Sequence, residues 1–320
     1  MTDDDMTDGE APKRLLVIGA GAVGGAIGGL LHSSGFPVVL VARGPHGAAL
    51  RRDGLTLRTP ARSLRAQLPS VSRISGLRPR PGDLALLATK LQDAEAAMDE
   101  LLAVAGPTLP IVCAVNGVDG ERWAAQRFHS VASMLVWIPA LHLVPGEVRI
   151  YGAPCPAVLD VGLYPSGDAP WIDDLCDRLR GAGFDALPRR DIWPWKLAKW
   201  ITNLGSAAQA LITDDWLTVA LAARAEGEQV LDAAGLEHVS QDELLARTKA
   251  VGPAMIDGEH RPGGSTWQSR AQGKPLESLW IEGAMAALGR RVGVETPVLD
   301  ALTLAAKRPR PLLAADLLRS

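Results

Sequence analysis

Apolar and polar positions alternate along this chain in two successive rhythms. From Arg14 onward, short apolar runs are separated by turn residues and helical stretches. "RLLVIG" (14–19) has the unbroken apolar character of a buried strand, and the small, apolar residues 22–34 predict a tightly packed helix. "PVVLVA" (37–42), "DLALLAT" (83–89) and "LPIVCAV" (109–115) repeat the strand signal, with the helix-like "LQDAEAAMDELLAV" between the last two. Strands alternating with helices indicate a parallel sheet covered on both faces. From about Ser130 the rhythm changes. "VASMLVWIPA", "EVRIYG" and "AVLDVGLY" read as consecutive strands with Pro/Gly turns, followed by the helix-like "WIDDLCDRLRGAG". Beyond Arg190 strand signals nearly vanish, and residues 191–211, 214–235, 241–250 and 277–292 read as helices. A domain boundary is expected near residue 190.

Composition narrows the class. With 320 residues, 47% hydrophobic and 22% charged, the chain is long enough for two ordinary globular domains. A net charge of −3 and the lack of a long Lys/Arg run argue against a nucleic-acid partner. No stretch approaches the roughly 20 apolar residues that span a bilayer, so no membrane partner is expected. Cys113, Cys155 and Cys176 are widely spaced and make no metal pattern, as suits reduced thiols and a cytoplasmic location. Residues 1–12 are acidic and polar and read as a disordered tail rather than a signal peptide. The nine tryptophans read as core fillers, and the six histidines are scattered and form no triad.

The glycine turn after the first strand carries chemistry. Gly19-Ala20-Gly21-Ala22-Val23-Gly24 has GxGxxG spacing. The first glycine makes the tight turn, the second lets backbone approach a pyrophosphate, and the third allows close helix–strand packing. Such a loop is weak alone, but here it follows a strand and opens a helix, which points to a dinucleotide. The first domain is therefore Rossmann-like. The second strand ends in Arg43, where an NAD site usually places an acid. A guanidinium there can pair with a 2′-phosphate, which favours NADP(H); the plain alternative is a surface arginine.

Polar residues also stand at strand ends, where open α/β sheets bind ligands. Lys90 follows "DLALLAT" and Asn116 follows "LPIVCAV". Read singly, Lys90 is equally a solvated helix start, and Asn116-Gly117 is equally a turn. In "PWKLAKWITNLGSAAQAL" (194–211), a helix at about 100° per residue puts Lys196, Lys199, Asn203 and Ser206 on one face. Lys199 and Asn203 are one turn apart and are neighbours. That face is either a stripe turned to water or a working site.

Taken in order, "GAGAVGG", "ARGPHGAAL", "TKLQDAE", "VNGVDGE", "WKLAKWITNLGSAAQAL" and "STWQSRAQGKPLE" followed by "EGAMAALGRRVGVETP" resemble the ketopantoate reductase (2-dehydropantoate 2-reductase) family from about Arg14 to Lys307. The resemblance implies an NADP-binding Rossmann-like domain over 13–190 and a helical substrate-binding and dimerisation domain over 191–320, with the active site in the cleft between them. It implies NADPH-dependent reduction of 2-dehydropantoate to (R)-pantoate in pantothenate and coenzyme A synthesis. The partner it implies is a small 2-oxo acid; a homodimer and no metal site are the further expectations. By resemblance Lys199 is the general acid, and Asn203 and Ser265 bind substrate, the serine through its carboxylate. Lys90, Asn116 and Glu277 contact the cofactor, and Asn116 stands where nicotinamide and substrate meet. Ser206 occupies a second asparagine's position and joins the substrate set with less reach. Ser269 replaces an acid, and Glu277-Ser278-Leu279 replaces Glu-x-Asp. These departures surround the substrate, so two alternatives stand beside ketopantoate reduction: a reductase of a different 2-oxo acid, and a non-catalytic NADP-binding redox sensor.

Overall fold

The computed structural model describes residues 13–307 and 312–318; the expected acidic tail, 1–12, lies outside the described residues. In chain order the strands are β1 (Arg14–Ile18), β2 (Val38–Val41), β3 (Leu55–Arg58), β4 (Ser63–Ala66), β5 (Ser70–Val71), β6 (Asp83–Leu87), β7 (Ile111–Cys113), β8 (Val131–Trp137), β9 (Ala140–Leu141), β10 (Glu147–Ile150), β11 (Gly152–Pro154), β12 (Val158–Leu163) and β13 (Val251–Pro253). The helices are α1 (Ala22–Ser33), α2 (Gly44–Asp53), α3 (Leu91–Ala105), α4 (Asp119–Ala124), α5 (Pro170–Gly181), α6 (Ile192–Asn203), α7 (Ser206–Leu211), α8 (Trp216–Ala233), α9 (Gln241–Thr248), α10 (Ser265–Ala271), α11 (Glu282–Val292) and α12 (Pro297–Ala305). They form two compact units. Among the described residues, the first holds 13–115, Asp119–Trp193 and Ala246–Arg261; the second holds Asn116–Val118, Pro194–Leu245 and those from Pro262 onward.

The first unit is built on a seven-stranded sheet ordered β12-β8-β7-β6-β1-β2-β5. Its strands are parallel except β12, which runs antiparallel to β8 at the edge. Successive side chains of a strand point to opposite faces. Leu15 and Val17 of β1 join one large core cluster with Ile27 and Leu31 of α1 and Trp171 and Leu175 of α5. Leu16 and Ile18 are equally buried but lie outside that cluster, on the other face. Burial on both faces is why these strands read as unbroken apolar runs.

Two smaller sheets complete this unit. One is ordered β4-β3-β10-β9, and β11 pairs antiparallel with β13 in the other. The segments at 130–163, expected as consecutive strands, are thus divided: β8 and β12 pair in the large sheet, while β10 pairs with β3 and β9. Strands β3, β4 and β5 carry no clear sequence signal, because "SLRA" and "LTLR" keep one side toward solvent and hold arginine there.

Residues 246–261, placed on the helical side by the sequence pattern, group with the first unit. An ion network accounts for this. Asp160 of β12 is fully buried. It accepts from Arg189 Nε at 2.5 Å and from Arg247 Nη2 at 2.6 Å, and the same arginine forks onto Asp185 at 2.6 and 2.8 Å. Two-pronged guanidinium–carboxylate pairing of this kind fixes geometry as well as charge.

The second unit is helical. α7 packs on α8 and α10, and α8 packs on α11 and α12. The helix expected over 191–211 is two helices, with Leu204 and Gly205 between α6 and α7. Gly205 lets α8 approach closely: a Cβ there would lie 2.7 Å from that of Ala220. The helix expected over 277–292 is likewise a 3-10 turn, Glu277–Leu279, followed by α11.

Candidate active site

In the first unit, three neighbouring strands end together. Ile18 pairs with Val41 on one side and Leu87 on the other. The glycine loop leaves β1 at this level. Gly19 has φ +100°, and a Cβ on it would lie 2.9 Å from the Ala88 carbonyl oxygen. A Cβ on Gly24 would lie 2.0 Å from the Gly19 carbonyl oxygen, so only glycine lets α1 approach this turn. At Gly21 nothing lies within 4 Å of an added Cβ, so the backbone there is open to an incoming group. Gly21 is also the N-cap of α1, which has no side-chain cap and no acid in its first turn. Unsatisfied N–H groups and the positive end of the helix dipole favour a phosphate there. The residues present fit a dinucleotide pyrophosphate.

Arg43 caps α2 just beyond β2 with its side chain 75% exposed. The Asp93 carboxylate stands 3.7 Å from it, outside hydrogen-bonding range, so a closer anion can displace that pairing. Lys90 follows Leu87 by three residues, as Asn116 follows Cys113. Lys90 is half-buried at the N-cap of α3.

In the second unit, four of the sequence-derived residues form one hydrogen-bonded chain. Asn203, the last residue of α6, donates Nδ2–H to Asn116 Oδ1 at 3.0 Å. Asn116 Nδ2 donates to Ser265 Oγ at 3.3 Å. The Ser206 hydroxyl donates back to the Asn203 carbonyl. Ser265 Oγ accepts within this chain, and a hydroxyl that accepts can also donate. Lys199 is half-buried one turn before Asn203. Lys196 is 2% exposed, which excludes a water-facing stripe at that position. Glu277 is buried at the start of its 3-10 turn.

Two further side chains hold this arrangement. Gln209 Oε1 accepts the Gly264 N–H at 2.8 Å, fixing the residue before Ser265. Glu282 is 1% exposed and accepts the Ala207 N–H at 3.2 Å, fixing the residue after Ser206. Burial pushes the Glu282 carboxyl up to about 8, against the opposing hydrogen bond from the Ala207 amide. In sequence Glu282 lies inside the helix expected over 277–292 and Gln209 inside the one expected over 191–211. Neither pattern reveals a partner distant in the chain.

The family Ketopantoate reductase PanE/ApbA matches residues 15–163, and the family Ketopantoate reductase PanE/ApbA C terminal matches residues 193–309. The chain belongs to the ketopantoate reductase family. It is 25% identical over 296 residues to the 2-dehydropantoate 2-reductase of Pyrococcus horikoshii, covering 89% of this chain and 93% of that relative. Among solved structures it resembles 2-dehydropantoate 2-reductase from Methylococcus capsulatus, with 25% identity, a TM-score of 0.73 and coverage of 92% and 96%. The ternary structure of D-mandelate dehydrogenase with NADH and anilino(oxo)acetate shares the fold at 22% identity and a TM-score of 0.76, covering 92% and 97%. As a ketopantoate reductase family member the chain is an oxidoreductase of the pyridine-nucleotide-dependent kind. Among the described residues no helix is long and apolar enough to cross a membrane.

Proposed function

We propose that this chain reduces 2-dehydropantoate to (R)-pantoate with NADPH, in the cytoplasm, as a step of pantothenate and coenzyme A synthesis. The observation that carries the reading is the chain Asn203–Asn116–Ser265, with Lys199 one turn from Asn203. Bound NADPH would supply the hydride. The glycine loop and the N-terminus of α1 would hold its pyrophosphate, and Arg43 its 2′-phosphate, with Lys90, Asn116 and Glu277 as further cofactor contacts. Ser265 would donate to the keto acid's carboxylate. Asn203 would orient the ketone, and Ser206 would border the substrate. Reduction leaves negative charge on the ketone oxygen, and Lys199 would stabilise that charge and deliver the proton. The helical residues 191–320 would also carry a homodimer contact.

Ser206 supports a second reading, reduction of a different 2-oxo acid. Ser206 is shorter and reaches less far than an asparagine, and the altered 266–269 segment beside Ser265 lacks an acid. The test is NADPH absorbance with ketopantoate and a panel of 2-oxo acids. Turnover of ketopantoate is expected. Turnover only of another acid moves the assignment to the second reading, and tight NADPH binding without any turnover indicates a sensor instead.

A further inference from the structure

The glycine loop is gripped from below by a histidine that the chemistry above does not use. His46, the third residue of α2, is half-buried. Its Nε2 lies 2.8 Å from the Ala20 carbonyl oxygen, and its Nδ1 lies 2.9 Å from the Gly146 amide nitrogen. A carbonyl only accepts, so Nε2 carries the hydrogen. An amide N–H only donates, so Nδ1 offers its lone pair. The two contacts together select one neutral tautomer of the ring. The surroundings are built around it. The His142 ring lies against it at 4.1 Å between centroids, tilted by 51°, and its own Nδ1 lies 3.0 Å from the Glu147 carbonyl oxygen. Gly25 leaves the space beside the Ala20 carbonyl, where a Cβ would come within 3.0 Å of that oxygen.

Ala20 is the residue between the first two glycines of the loop. Its carbonyl and the Gly21 N–H belong to one planar trans peptide unit, so they point in opposite directions. A group that holds the Ala20 oxygen therefore aims the Gly21 N–H the other way. Gly21 has no side chain to orient it, and its surroundings are open.

We infer that His46 is a positioning residue for the dinucleotide: through the Ala20 carbonyl it fixes the peptide whose N–H meets the pyrophosphate. This inference rests on the dinucleotide reading of the loop. Because the pyrophosphate is common to both nicotinamide dinucleotides, the effect should not distinguish them, unlike that of Arg43.

The test measures binding of NADPH and of NADH by fluorescence, without keto acid. His46→Ala should weaken both by a similar factor of about tenfold, the scale of one lost hydrogen bond. Arg43→Ala should weaken NADPH selectively. His46→Gln, whose amide can both donate and accept, should recover most of the loss. A long-range proton–nitrogen spectrum of the ligand-free wild type should show His46 protonated at Nε2 alone, a readout that needs no variant to fold. A proton at Nδ1, or His46→Ala binding both nucleotides like the wild type, overturns this inference and leaves the dinucleotide reading standing. A wild type that binds neither nucleotide overturns both.

Discussion

Lys196 is 2% exposed, whereas Lys199, three residues along the same helix, is only half-buried, and this sets what each substitution should do. Lys199 stands one helical turn from Asn203, and the proposed reaction makes it the general acid. Lys199→Ala should lower kcat by roughly 10²- to 10⁴-fold, the usual worth of a general acid, while NADPH binding persists. Lys196→Ala removes a buried aliphatic stem and should act first on stability, lowering Tm with a smaller effect on kcat. Steady-state NADPH oxidation and thermal melts of both variants check this. Wild-type kcat in the first variant and a collapsed kcat in the second would reverse the assignment.

At the scale of elements, the junction of α6 and α7 places Asn203 and Ser206, and Glu282 of α11 secures its far side. The Ala207 N–H belongs to the first turn of α7, where helix donors lack intrahelical partners. Glu282 titrates at about 8 in the fold against 4.5 for an ordinary glutamate. Between these values the folded chain binds a proton that the unfolded chain has released. The stability associated with this group is therefore fully present below pH 4.5 and falls as pH rises toward 8. Glu282→Gln keeps the acceptor and removes the titration. Its urea midpoint should fall less than the wild type's between pH 5 and pH 8, and equal falls would refute the role.

The same junction shows what the sequence made legible. Parallel strands buried on both faces announce themselves as apolar runs, and GxGxxG after such a strand declares its turn. Helical spacing alone puts Lys199 one turn before Asn203, and both lie in α6. The break at Leu204–Gly205 does not follow from spacing, because it depends on Ala220 of another helix pressing against Gly205. Glu282, Gln209 and His46 were illegible for a related reason: their partners lie 75, 55 and up to 100 residues away.

At the scale of the whole molecule, the chain does not finish one unit before starting the next. Ala246–Arg261 belongs to the first unit although Pro194–Leu245, just before it, belongs to the second. It brings β13 to β11 and Arg247 to Asp160 and Asp185. A fragment ending at residue 193 would lose that strand partner and leave the fully buried Asp160 with Arg189 but without Arg247. Removing one of the two arginines that hold a buried carboxylate is costly, so residues 13–193 alone should be poorly soluble and bind NADPH weakly. Supplying 246–261 through a flexible linker should improve both, as solubility assays and fluorescence titration would show. The arrangement also bears on inheritance. A gene fusion made at the boundary near residue 193 would deliver a cassette missing its own fastening, so recombination could not readily exchange either unit for a foreign one, and selection would act on the two as a single heritable block.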